Sequence, residues 1–141
     1  MNSFSFSVSM PPSSNNMFAT VIIKGKPRRI TSRAYKAWRK LEAPNLQSQW
    51  ERCGSPKFAR HLSLKIHLGL NYQSDVANRE KAITDLLVST IPDFPDDRYF
   101  DRVCMIRVPG IEGARVQIIQ GNPPVADHPI SPTNPFRGES A

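Results

Sequence analysis

Residues 61–70 read His61-Leu62-Ser63-Leu64-Lys65-Ile66-His67-Leu68-Gly69-Leu70, and their strict alternation decides the fold. Leu62, Leu64, Ile66, Leu68 and Leu70 fall on one face of an extended chain. His61, Ser63, Lys65, His67 and Gly69 fall on the other, a polar outer face. Alternation with period two marks a strand with one buried side, so the chain is built around a sheet.

Working outward, a turn at 71–74 leads into a helix expected over 76–91, capped by Ser74 or Asp75. Its core face carries Val76, Ala82, Ile83, Leu86 and Leu87. The acidic, proline-rich PDFPDD hands over to a strand at 100–108. That strand is expected to form an antiparallel hairpin across PGIEGA with a strand at 114–120. On the N-terminal side, Phe4, Phe6, Val8 and Met10 share one face of a strand that Pro11-Pro12 ends. The polar SSNN is a loop, residues 18–24 form a second strand, and Gly25 turns the chain before PRRIT resumes. Ser32 caps a helix that Pro44 should stop, with Tyr35, Trp38 and Leu41 inward and Arg33, Lys36 and Lys40 outward. The stretch 44–57 is ambiguous and includes a possible short helix around Trp50.

These elements predict a mixed α+β fold, a small mixed sheet with two main helices, in one domain over 1–120. Residues 121–141 hold five of the thirteen prolines and no apolar period, and are expected to be a disordered tail.

The chain has 141 residues, 39% of them hydrophobic, enough for a real core. No run approaches the roughly 18 apolar residues of a membrane span. MNSFSFSVSM reads as a strand and not as a signal peptide. Cys53 and Cys104 have no partner at ligand spacing, which argues against a disulfide framework or zinc site and for a reducing cytoplasm. The net charge of +7 is unevenly placed. Residues 1–70 carry twelve Lys/Arg against Glu42 and Glu51, whereas 71–120 carry six basic and eight acidic side chains. The first part offers either a surface for phosphates or a merely soluble basic one, with its densest run at Lys24, Lys26, Arg28, Arg29, Arg33, Lys36, Arg39 and Lys40.

The acidic part offers a cation site. On the expected second helix Asp75, Asn78, Lys81 and Asp85 share one stripe, and the doublet Asp96-Asp97 follows further on. Carboxylates suit hard Mg²⁺ or Mn²⁺, which keep several waters and accept substrate phosphate. A divalent metal within a phosphate-binding surface is the requirement for cutting a nucleic-acid backbone. The bland alternatives are a solvated helix face for the stripe and ordinary turn chemistry for the doublet. Tyr72 could stack on an unpaired base, or simply pack in its loop.

The order of these motifs resembles the RusA family of Holliday-junction resolvases. Pro11-Pro12-Ser13-Ser14-Asn15-Asn16 after a first strand is similar to that family's N-terminal PPS-N-N signature. Asp75-Val76-Ala77-Asn78-Arg79-Glu80-Lys81 followed by Asp85-Leu86-Leu87 resembles its D-x-D-N-x-x-K…D-x-L segment. Asp96-Asp97 entering a strand with Val103, Met105 and Arg107 resembles its D-D segment. The likeness runs over residues 3–120. It implies a metal-dependent endodeoxyribonuclease that acts as a homodimer and makes paired cuts in four-way DNA junctions. By matching position, Asp75 and Asp97 would hold Mg²⁺ or Mn²⁺ and Lys81 would assist at the phosphate. Lys24, Lys26, Arg28, Arg29, Arg33 and Lys36, with Asn15 and Asn16, would contact DNA. The chain departs from the pattern at Ala77, where the family's motif carries a second Asp. Asp96 is then the better replacement ligand than Asp85. The alternative expectation is a junction-binding protein with impaired catalysis.

Overall fold

A computed structural model of the chain describes residues 3–71, 74, 76 and 78–122. The element order is β1 (Ser3–Val8), β2 (Phe18–Ile23), β3 (Lys26–Thr31), α1 (Arg33–Arg52), β4 (Leu62–Leu68), α2 (Glu80–Thr90), β5 (Phe100–Arg107) and β6 (Ala114–Gln120). Short 3₁₀ turns occupy Ser14–Asn16 and Asp97–Tyr99. The fold is a mixed α+β one. Its main sheet has the order β1-β6-β4-β5, and β2 and β3 form a separate two-stranded ribbon. The expected tail at 121–141 falls almost wholly outside the described residues.

The alternating segment forms the centre of the sheet. Leu62, Leu64, Ile66 and Leu68 are all buried, and they face Phe4, Phe6, Val116 and Ile118 within one core completed by Ala82, Ile83, Leu86 and Leu87 of α2. His61 lies just before β4 with left-handed backbone, its ring nitrogen Nδ1 2.8 Å from Asp101.

Three expectations about the elements are corrected. First, β5 and β6 are not a hairpin. β4 lies between them, parallel to β5 and antiparallel to β6. A strand with so regular an apolar face takes the central place, where both its edges are paired. The connection from β5 to β6 therefore crosses the end of β4. There the Gly69 N–H donates to the Gly113 carbonyl, and any side chain at 69 would collide with the Ile111 carbonyl oxygen.

Second, Pro44 does not stop α1, which continues to Arg52. A helix-interior proline costs about 3 kcal/mol, but Leu46 and Trp50 extend the buried stripe of Tyr35, Trp38 and Glu42 by two more turns. Pro44 itself is exposed, so the carbonyl it cannot serve lies on the water side. Leu41, expected inside, is 63% exposed, and its neighbour Glu42 is buried in its place. Third, α2 begins at Glu80 instead of 76, because Asn78 has φ +67 and cannot be helical.

Side chains of α1 also replace a missing strand along the outer edge of β1. Gln49 accepts from the Ser7 N–H at 2.9 Å and donates to the Ser7 carbonyl at 2.8 Å. Glu42 accepts from the Ser9 N–H at 3.0 Å, and the Trp38 indole donates to the Ser9 carbonyl at 3.1 Å. An edge strand is thereby covered by a helix.

Candidate functional site

The loop after α2 is anchored by its apolar residues and presents its acidic ones. Phe94 meets Phe58 with ring centroids 5.8 Å apart and Phe100 at 6.1 Å, and Pro95 is buried beside it. Asp96 then caps the following 3₁₀ turn: one oxygen accepts from the Arg98 N–H at 3.0 Å and the other from the Arg98 guanidinium at 3.0 Å. That pairing with Arg98 holds its carboxyl well below the ordinary value of 3.8. Both oxygens of Asp96 thus have local work, which sets it apart from its neighbour.

Asp97 turns back toward α2. Its carboxylate lies 3.7 Å from the Lys81 ammonium, in the first turn of that helix, and Lys81 also pairs with Asp85 at 3.1 Å. Hydrogen bonding to Asp85 raises the Lys81 pKa above its ordinary value, with the charges of Asp85 and Asp97 acting in the same direction against partial desolvation. Lys81 is therefore a committed cation. From α1, the buried Tyr35 hydroxyl points at Asp85, 3.5 Å away. Burial first, and then the Asp85 charge, push the Tyr35 pKa up, so it stays a neutral donor. Arg39 approaches the Tyr35 ring at 5.5 Å and lines a cleft of about 350 Å³ with Asp85, Val88, Ser89, Asp96 and Asp97.

A second contact brings the N-terminal motif to the same entry of α2. The Ser14 N–H donates to the Asn78 carbonyl at 2.6 Å, and the Arg79 guanidinium donates to the Pro11 carbonyl at 2.7 Å. The left-handed turn at Asn78 exposes the carbonyl that Ser14 uses. Segments at 11–16, 78–85 and 96–97 are therefore neighbours, although more than sixty residues separate the first from the second.

Of the sequence-predicted site residues, Lys81 and Asp97 meet, and Asp96 lines the same cleft while engaged with Arg98. Asp75, together with Ala77 and Tyr72, lies outside the described residues. The expected helical stripe of Asp75, Asn78, Lys81 and Asp85 is not one, since only Lys81 and Asp85 are in α2. Asn15 and Asn16 are exposed in the turn at 14–16, and the Asn16 carbonyl accepts from the Ser32 hydroxyl at 2.6 Å. Lys24, Lys26, Arg28 and Arg29 belong to the ribbon, and Arg33 and Lys36 to the first turn of α1, all exposed. Arg39 was read only as one charge in a basic run. Nothing in its spacing placed it beside Asp85.

Among the described residues no group of three His, Cys, Asp or Glu could hold a metal ion. Of the three carboxylates lining the cleft, Asp96 is engaged by Arg98, and Asp85 and Asp97 have the Lys81 ammonium between them. Mg²⁺ or Mn²⁺ need one or two protein carboxylates besides water and phosphate, and here Asp85 and Asp97 are held by the Lys81 ammonium. No helix among the described residues is long and apolar enough to cross a membrane. In comparisons with known proteins, no family model matches the chain and no curated protein matches it.

Proposed function

We propose that this protein is a metal-dependent, structure-selective endodeoxyribonuclease of the RusA type, acting on four-way DNA junctions in the cytoplasm as a homodimer. The observation that carries this reading is the meeting of Lys81 with Asp97, which joins the start of α2 to the hinge before β5. The Pro11–Asn16 segment is clipped to the same helix entry.

In this reading Asp97, with Asp75 and Asp96, would hold Mg²⁺ or Mn²⁺. When bound, the ion activates the attacking water and neutralises the scissile phosphate. Lys81 stays protonated and so cannot act as a base. Its ammonium stabilises negative charge developing on the phosphate. The exposed cations of the ribbon and of α1 grip backbone phosphates, and selectivity comes from branch shape more than from base sequence. Paired cuts need two equivalent sites at a fixed separation, which a two-fold dimer provides.

A second reading is a junction binder without catalysis. It is favoured by Ala77, which stands where the family's motif carries a second Asp. A synthetic four-way junction incubated with Mn²⁺ separates the two. Cleavage by the native chain, lost in Asp97→Asn with binding retained, is the expected result. Cleavage that arises only in Ala77→Asp assigns the native chain to the second reading.

A further inference from the structure

The β2–β3 ribbon has a composition and placement that gripping phosphates alone does not require. Among the described residues its strands pair only with each other. Its base is fixed by Phe18, whose ring meets Tyr35 edge-on at 6.4 Å, and by the Ser32 N–H donating to the Met17 carbonyl. Beyond that base it is exposed on both faces: Ile22 is 77% exposed, Ile23 49% and Ile30 39%. Residues 18–31 carry Lys24, Lys26, Arg28 and Arg29 and no acidic side chain.

The tip is a two-residue turn with Lys24 at φ +51 and Gly25 at φ +76. Asparagine is the favoured residue before glycine in such a turn. Lysine there accepts a strained backbone and sets a cation at the extreme end. Behind it come the pair Ile23–Lys26 and then Ile22 opposite Pro27 across the ribbon, both exposed. An apolar pair near the end of an arm whose charged side chains are all cations is suited to entering a groove and prising apart a base step.

We propose that the ribbon is a wedge whose Ile22–Pro27 end inserts between bases at the branch point of DNA while Lys24, Lys26, Arg28 and Arg29 hold the flanking phosphates. This rests on the DNA-binding reading above and adds to it a means of recognising branched structure. A branch point already interrupts stacking, so a wedge enters there at least cost. A membrane surface is a poorer fit. Ile22 and Ile23 point to opposite faces, and a membrane-bound element needs one continuous apolar side. A second copy of the ribbon would meet four like charges.

The test uses the full chain and a four-way junction carrying 2-aminopurine beside the branch point, with binding followed separately by anisotropy. On binding, fluorescence should rise severalfold. In Ile22→Ala/Pro27→Ala most of that rise should vanish while affinity falls by less than about tenfold and the salt slope is kept. Both residues are exposed, and circular dichroism checks the fold. In Lys24→Ala/Lys26→Ala the slope of log affinity against log salt should flatten by roughly two, with the rise retained at saturation. Tight binding without a rise, or a rise that survives in Ile22→Ala/Pro27→Ala, overturns the wedge and leaves DNA binding standing. Failure of the native chain to bind the junction at low salt overturns both. Preference for anionic vesicles over the junction overturns the wedge in favour of a lipid surface.

Discussion

At Lys81 the ammonium stands 3.1 Å from Asp85 and 3.7 Å from Asp97, while half of the side chain remains open to water. Solvent screens such a pair, so its contribution to folding is small even though its geometry is well defined. Lys81→Met is therefore expected to change unfolding free energy by less than about 1 kcal/mol in urea titrations. In cleavage assays it should lower the rate about 10²–10³-fold, as loss of one charge-stabilising donor does. The pH sign follows from the raised pKa. A cation whose folded value lies above its ordinary 10.5 stabilises the fold below that pH and loses the effect as pH rises through the folded value. Any stability gap between native and Lys81→Met should then be flat through neutral pH and close in strong alkali. A gap that widens on acidification would assign the effect elsewhere.

Among the elements, β4 and its crossing loop carry the most constrained position. Gly69 lies where the chain between β5 and β6 passes over the end of β4, and a methyl group would meet the Ile111 carbonyl. Gly69→Ala is expected to cost about 1–3 kcal/mol, read as a lower urea midpoint with unchanged slope. The same crossing explains what could be read in advance. The period-two face of 62–68 announced a buried strand, and both flanking strands were legible from alternation. Their neighbours were not, because pairing partners depend on which strand takes the centre. Pro44 misled for a related reason: a local rule ends a helix there, and the distant core contacts of Leu46 and Trp50 overrule it. At the site, Lys81 and Asp97 were legible as residue types at the right spacing. The turn at Asn78 was not, nor were Tyr35, which reaches Asp85 from a different helix, and Arg39, which lines the same cleft.

Over the whole molecule, charge is divided between two kinds of surface. The ribbon and the outer face of α1 are exposed and basic, whereas Asp85, Asp96 and Asp97 share a cleft in which Lys81, Arg98 and Arg39 are the neighbouring cations. Under the proposed reading DNA must approach both, and each carboxylate charge in the cleft repels phosphate. Without divalent ions Asp97→Asn should therefore bind a four-way junction more tightly than the native chain, by a few-fold at low ionic strength. The gain should fade toward the roughly 0.1 M salt at which the Debye length is about 10 Å. Adding Mg²⁺ should reverse the order, because the native carboxylate would hold the cation better than an amide and so lessen the repulsion of phosphate. Anisotropy titrations in chelator and in Mg²⁺ measure both. Should Asp97→Asn leave affinity unchanged under either condition, Asp97 does not face the bound phosphate, and the contact with Lys81 is a surface ion pair alone.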